Sequence, residues 1–134
     1  MGFEEKDFMK CHVILFVNDQ QKSMEFYKHV LQQEPILNVP GMTEFALTSD
    51  CILGLMPVLG AKKILSSAVF LNASGNKNNF PKSEVYLRLE NPQNYYERAI
   101  ALGAISISPM AERNWGATAG YVTDIDGHLI AFST

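Results

Sequence analysis

The chain carries one pattern twice. Residues 12–19 (HVILFVND) read as a strand running into a helix start, and residues 84–91 (EVYLRLEN) read the same way. A shift of 72 positions aligns Val13 with Val85, Leu15 with Leu87, Val17 with Leu89, Glu25 with Glu97 and Val30 with Leu102. Self-similarity at so long a period points to two copies of one supersecondary unit. A fold of that kind puts its pocket between the copies, so the functional question is which side chains the two copies aim at each other.

Composition narrows the class. At 134 residues, with 47% hydrophobic and 19% charged, the chain is one ordinary domain or two small modules sharing a sheet, and it is not disordered. A net charge of -3 and a pI near 5.5 leave no electrostatic footprint for nucleic acid, and Lys62-Lys63 reads as a solvated loop. Cys11 and Cys51 are too few and too far apart in sequence for a disulfide framework or a zinc knuckle. Acidic residues at Glu4 and Glu5 stand where a signal peptide is basic, and Lys6 stands where myristoylation wants Ser or Thr. The apolar stretch 52–61 is short and broken by Pro57, which excludes a membrane span there. A soluble, cytoplasmic protein without a membrane partner is expected, in which the sequon Asn72-Ala73-Ser74 is silent.

Along the chain, residues 11–17 alternate as a strand does, with Val13, Leu15 and Val17 on one face and His12, Ile14 and Phe16 on the other. Asn18 or Asp19 supplies an N-cap for a helix to about Leu31, whose Met24, Tyr27, Val30 and Leu31 make one buried stripe. Strands are expected over 43–48 and 51–56, turning at Ser49-Asp50. Residues 58–82 read as a linker, with a short strand at 68–71, a loop over 72–79, and a potential role as a flap. The second copy sets Val85, Leu87 and Leu89 inward and Glu84, Tyr86 and Arg88 outward. Asn91-Pro92 starts a helix carrying Tyr95, Tyr96, Ala99, Ile100 and Leu102, and Gly103 ends it in a left-handed cap. Strands follow over 104–108, 117–123 and 128–132, with Asp126-Gly127 as the last hairpin turn.

This layout, with residues 16–19 (FVND) and 23–31 (SMEFYKHVL), resembles the vicinal oxygen chelate superfamily. That group holds glyoxalase I, extradiol dioxygenases, fosfomycin-inactivating transferases and bleomycin-resistance proteins. Residues 113–116 (RNWG) and 120–128 (GYVTDIDGH) resemble its closing hairpin, so the resemblance covers nearly the whole chain. It implies an α+β fold in which two βαβββ modules, about 10–57 and 83–134, form a curved mixed sheet around a cleft with the helices outside. It also implies a homodimer. It does not name the chemistry, because one scaffold hosts many. In metal-dependent members, ligands come from the first and last strands of each module, which by position are His12, Gly54, Glu84 and Ala131 here. Gly54 and Ala131 have no donor atoms, and catalytic zinc usually needs three protein ligands. Glu44 is a rescuing donor only if it faces inward. The bland reading of His12 is a polar cleft residue bonded to Glu84.

Two further readings compete for the remaining candidates. Arg113, Trp115 and Tyr121 are either the wall and anchor of a small-molecule site or a lock for the hairpin. Phe16, Tyr86 and Arg88 share the expected cleft face with His12 and Glu84, as a pocket or as a subunit interface. Asp124-Ile125-Asp126-Gly127 is a turn and not a calcium loop, and Cys11 and His12 face opposite ways, which excludes a catalytic pair. The first functional expectation is a protein that binds a small organic molecule at His12, Phe16, Glu84, Tyr86, Arg88, Arg113, Trp115 and Tyr121, with no metal or other cofactor. A metal-dependent lyase, dioxygenase or thiol transferase using His12 and Glu84 is the alternative, and a partner-binding module without enzymatic activity is the third.

Overall fold

The computed structural model describes residues 9–73 and 80–134, with the side chains of 66–73 set aside. The elements run β1 (Cys11–Val17), α1 (Gln20–Leu31), β2 (Leu37–Val39), β3 (Met42–Thr48), β4 (Cys51–Pro57) and α2 (Val58–Ala73). They continue with β5 (Val85–Arg88), α3 (Pro92–Ala101), β6 (Ile105–Glu112), β7 (Thr118–Thr123) and β8 (Leu129–Ser133). Two four-stranded sheets result, ordered β1-β4-β3-β2 and β5-β8-β7-β6. In each, the first strand is parallel to the last and the remaining pairs are antiparallel. The sequence repeat is therefore a structural one: two βαβββ modules in an α+β fold, with open sheets. Among the described residues no helix is long and apolar enough to cross a membrane.

The local causes are legible. In β1, Leu15 and Val17 are buried while Phe16 between them is exposed, as period-two alternation requires. Asp19 adopts an extended backbone and its carboxylate accepts the Lys22 amide at 3.0 Å, which caps α1. That helix buries Met24, Phe26, Tyr27, Val30 and Leu31. The start of α3 follows its proline instead. Asn91 makes no side-chain cap bond, and Pro92 presets the first helical φ. Gly103, at φ +108, ends that helix in the left-handed region as expected.

The stretch after Pro57 departs from expectation. The short strand expected at 68–71 is helical, within α2, and the loop expected over 72–79 is helical through Ala73. Its residues 74–79 lie outside the described residues. Leu59, Ala61, Lys62, Lys63 and Leu65 are good helix formers, and a helix needs no partner strand to satisfy its backbone. The βαβββ layout calls for a third strand after α1 that the sequence pattern did not place; it is β2, which pairs with β3 at the edge of its sheet.

One core cluster spans both modules and joins Val17, Val30, Phe45, Leu53 and Leu55 to Ala99, Val122, Ile130 and Phe132. A seam of polar contacts then fixes how the modules meet. The buried Tyr27 hydroxyl donates to Asp124 Oδ2, and Asp124 Oδ1 accepts the amides of Asp126 (2.9 Å) and His128 (2.8 Å). Asn18 donates its amide to Asp126 Oδ1 at 2.9 Å, and His128 Nε2 donates to the Phe16 carbonyl at 2.8 Å. Arg98 reaches across from α3 to the Val30 carbonyl at 3.0 and 3.2 Å. Burial, and then the Asp124 charge, push the Tyr27 phenol well above its usual value, so it stays a donor. The acidic turn at 124–127 thus serves the fold: the Asp124 carboxylate is fully engaged by a hydroxyl and two amides.

Candidate functional site

The register defines what lies on each sheet's helix-free face. In the first sheet, Ile14, Gly54 and Glu44 are aligned across three strands, with His12 one step along the same face. Glu44 does face His12, its Oε2 3.4 Å from His12 Nδ1, so the partner of His12 is Glu44 and not Glu84. Glu44 is largely covered at 18% side-chain exposure, and His12 is half open at 42%. Phe16 is exposed on the same face.

The two positions without donors are covered. A Cβ built on Gly54 would lie 2.5 Å from Ile14 Cδ1 and 3.3 Å from Met42 Sδ, so the Ile14 side chain occupies the space over Gly54. Ala131 is fully buried and is flanked in register by Tyr86 and Tyr121. Among the described residues no three His, Cys, Asp or Glu side chains come together. Among the described residues the donor set is His12 with Glu44, one short of the three that zinc catalysis uses, and it does not fit a catalytic divalent metal.

The second sheet's open face is aromatic and cationic. Trp115 Nε1 donates to Tyr86 OH at 3.1 Å, and Tyr86 OH lies 2.7 Å from the buried Ser133 Oγ. This chain of three groups fixes the indole while leaving it 61% exposed. Gly116, at φ +93, makes the tight β6–β7 turn that carries Trp115 out of the sheet, and its amide bonds the Arg113 carbonyl at 3.0 Å. Arg113 is committed to the hairpin. Its Nη2 donates to the carbonyls of Ala119 (2.7 Å) and Pro109 (2.8 Å) and to Ser108 Oγ (3.0 Å), and its guanidinium lies 5.2 Å from the centre of the Tyr121 ring. Loss of solvation, then Glu84 and Tyr86, raise the Tyr121 phenol, with Arg113 opposing, so Tyr121 stays neutral at ordinary pH.

Arg88 differs from Arg113. It is exposed, and its guanidinium has no hydrogen-bond or ion-pair partner among the described residues. A cavity of about 540 Å³ is lined by Tyr86, Arg88, Trp115, Gly116, Ala117 and Thr134. That volume is typical of small-molecule sites. Of the residues singled out from sequence, the structure gathers Tyr86, Arg88 and Trp115 around one cavity, with Arg113 and Tyr121 stacked beside them. His12 and Phe16 lie on the other module and line no described cavity with that group. Ser133 and Ser108 were missed. Ser133 was findable, since it stands two residues beyond Ala131 on the same strand face.

The sequence pattern of the Glyoxalase/Bleomycin resistance protein/Dioxygenase superfamily matches residues 11–132. Among solved structures, a glyoxalase-related enzyme from Fulvimarina pelagi is similar at a TM-score of 0.74 and 17% identity, over 92% of this chain and 85% of that one. A glyoxalase/bleomycin resistance protein/dioxygenase family enzyme from Burkholderia phytofirmans PsJN gives 0.74 and 17%, over 91% and 94%. Fosfomycin resistance protein FosX from Mesorhizobium loti gives 0.61 and 16%, over 95% and 90%. At such identities the likeness is one of fold. Among curated proteins no significant sequence match was found.

Proposed function

Because the chain belongs to the glyoxalase/bleomycin resistance protein/dioxygenase superfamily, whose scaffold hosts many chemistries, we propose that it binds a small organic molecule on the aromatic face of its second module. The observation that carries this reading is the Trp115–Tyr86–Ser133 chain, which orders an indole yet leaves it open beside a guanidinium that has no partner among the described residues. Ordering a large aromatic surface in advance lowers the entropy cost of binding. Trp115 stacks on a planar portion of the ligand and Arg88 receives an acidic group. Arg113 and Tyr121 form the wall behind them.

A metal-dependent reaction through His12 finds less support, since Ile14 lies over Gly54, and Tyr86 and Tyr121 flank the buried Ala131. The protein acts as a homodimer in the binding reading. Phe16, Leu37 and Val39 are exposed apolar residues of the first sheet, and a second copy gives them cover. A monomeric sedimentation coefficient at micromolar concentration contradicts that assembly.

The binding reading is tested by a thermal-shift screen of planar organic acids. A ligand present at about one hundred times its Kd stabilises the folded state by about 2.7 kcal/mol. At least one ligand that raises the wild-type midpoint is expected to leave Trp115→Ala and Arg88→Gln unmoved. Equal shifts in all three proteins place binding elsewhere.

A further inference from the structure

The repeat gives each residue of one module a counterpart in the other, yet the seam between modules is built differently at its two ends. The 72-residue shift makes Ala99 the counterpart of Tyr27 and Arg88 that of Phe16. Aligning the last strands on the parallel pairs Val13↔Leu53 and Val85↔Ile130 makes Leu47 the counterpart of Asp124 and Cys51 that of His128. One end of the seam is sealed by Tyr27 on Asp124 and His128 on the Phe16 carbonyl. Among the described residues neither bond has an equivalent at the other end. Ala99 has no hydroxyl, Leu47 has no carboxylate, and Cys51 is too short to span the seam as the His128 ring does.

At that unsealed end lies a crevice of about 560 Å³, walled by Val13, Leu31, Leu47, Leu87, Leu89 and Tyr95. It runs along β5, which among the described residues pairs with β8 and lies at the edge of its sheet. The crevice is open to solvent along one side, its lining is mainly apolar, and its volume is that of a ligand pocket. Cys51 and Thr48 line it as well, and Arg88 and Glu84 are its charged residues.

We infer that the unsealed end of the seam is a second ligand site, which takes a small apolar molecule bearing a single anionic group. The aliphatic walls receive its body and the unpaired Arg88 guanidinium its charge. Glu84 in the same lining repels a second negative charge. Arg88 and Tyr86 border both this crevice and the cavity beside Trp115, so anionic ligands at the two places compete for one cation.

The test uses 1-anilinonaphthalene-8-sulfonate, which has apolar rings and one sulfonate, titrated into the full chain. Binding is read by probe fluorescence and by the rate of Cys51 alkylation in a Cys11→Ser background. The expected result is one probe per chain, with Cys51 alkylation slowed severalfold and affinity reduced about tenfold by Arg88→Gln. Leu47→Trp, which fills the crevice from its wall, removes binding. Should that variant fail to fold, Cys51 protection decides the matter without a core substitution. Trp115→Ala separates the two sites, because crevice binding persists in it. Unprotected Cys51 at saturating probe overturns the inference, and so does binding lost in Trp115→Ala but kept in Leu47→Trp. Cys51 shielding without probe that deepens with protein concentration also overturns it, since a second copy then fills the crevice.

Discussion

Arg88 and Arg113 lie in the same module, and alternation together with the closing-hairpin motif marked both as candidates. Only the hydrogen bonds separate them. Arg113 braces β6 against β7 through two carbonyls and a hydroxyl, whereas the Arg88 guanidinium has no hydrogen-bond or ion-pair partner among the described residues. Arg113→Ala is therefore expected to cost about 2 kcal/mol of stability, as bonds to a charged group do. Arg88→Gln should stay within about 0.5 kcal/mol of wild type. Urea denaturation measures both, and equal losses contradict the division of roles. Tyr27 gives a second prediction at this scale. Tyr27→Phe removes a donor to the buried Asp124 carboxylate, at a cost of about 1.5–3 kcal/mol at pH 7. Its phenol is raised above the ordinary value of 10.0, so the folded state holds this proton more tightly than the unfolded state. That stabilisation is complete below about pH 10 and is lost as pH climbs from there through the raised value. Thermal midpoints between pH 8 and 11 should fall more steeply in wild type than in Tyr27→Phe, and parallel curves would rule this out.

The elements most legible in sequence were those with a clean period. β1 and β5 are short apolar runs ahead of a helix-capping residue and α1 shows one apolar stripe, so all three were placed within two or three residues. α2 was missed because its apolar residues follow no single period, and β2 because three residues at a sheet edge carry almost no pattern. Helix starts show how far the local code reaches. Asp19 and Asn91 align across the repeat and both are good capping residues, yet only Asp19 bonds its helix amide. Asp19→Ala should cost about 1 kcal/mol. Asn91→Ala should cost only a few tenths, because Pro92 already presets the helix start. Chemical denaturation of the two variants distinguishes them, and equal costs would show a capping bond at Asn91.

For the whole molecule, the repeat announced the fold, and the superfamily pattern over residues 11–132 agrees with it. The site was less legible. Sequence position marked Gly54 and Ala131 as lacking donors, but that Ile14 lies over one, and tyrosines flank the other, is a matter of cross-strand register. The inward turn of Glu44 toward His12 has the same origin. The seam's unequal ends emerge only when the modules are superimposed, because the sealing bonds join residues about a hundred positions apart in the chain. The aromatic face of the second module is ordered yet open in the free protein. Trp115 is the chain's only tryptophan, so its intrinsic fluorescence reports on that face alone. The most direct measurement is acrylamide quenching of the ligand-free protein over a range of concentrations. An open indole gives red-shifted emission and efficient quenching that does not fade as concentration rises. Blue-shifted emission shielded from acrylamide in the absence of any ligand would contradict it, and would make the face an interface or part of the core.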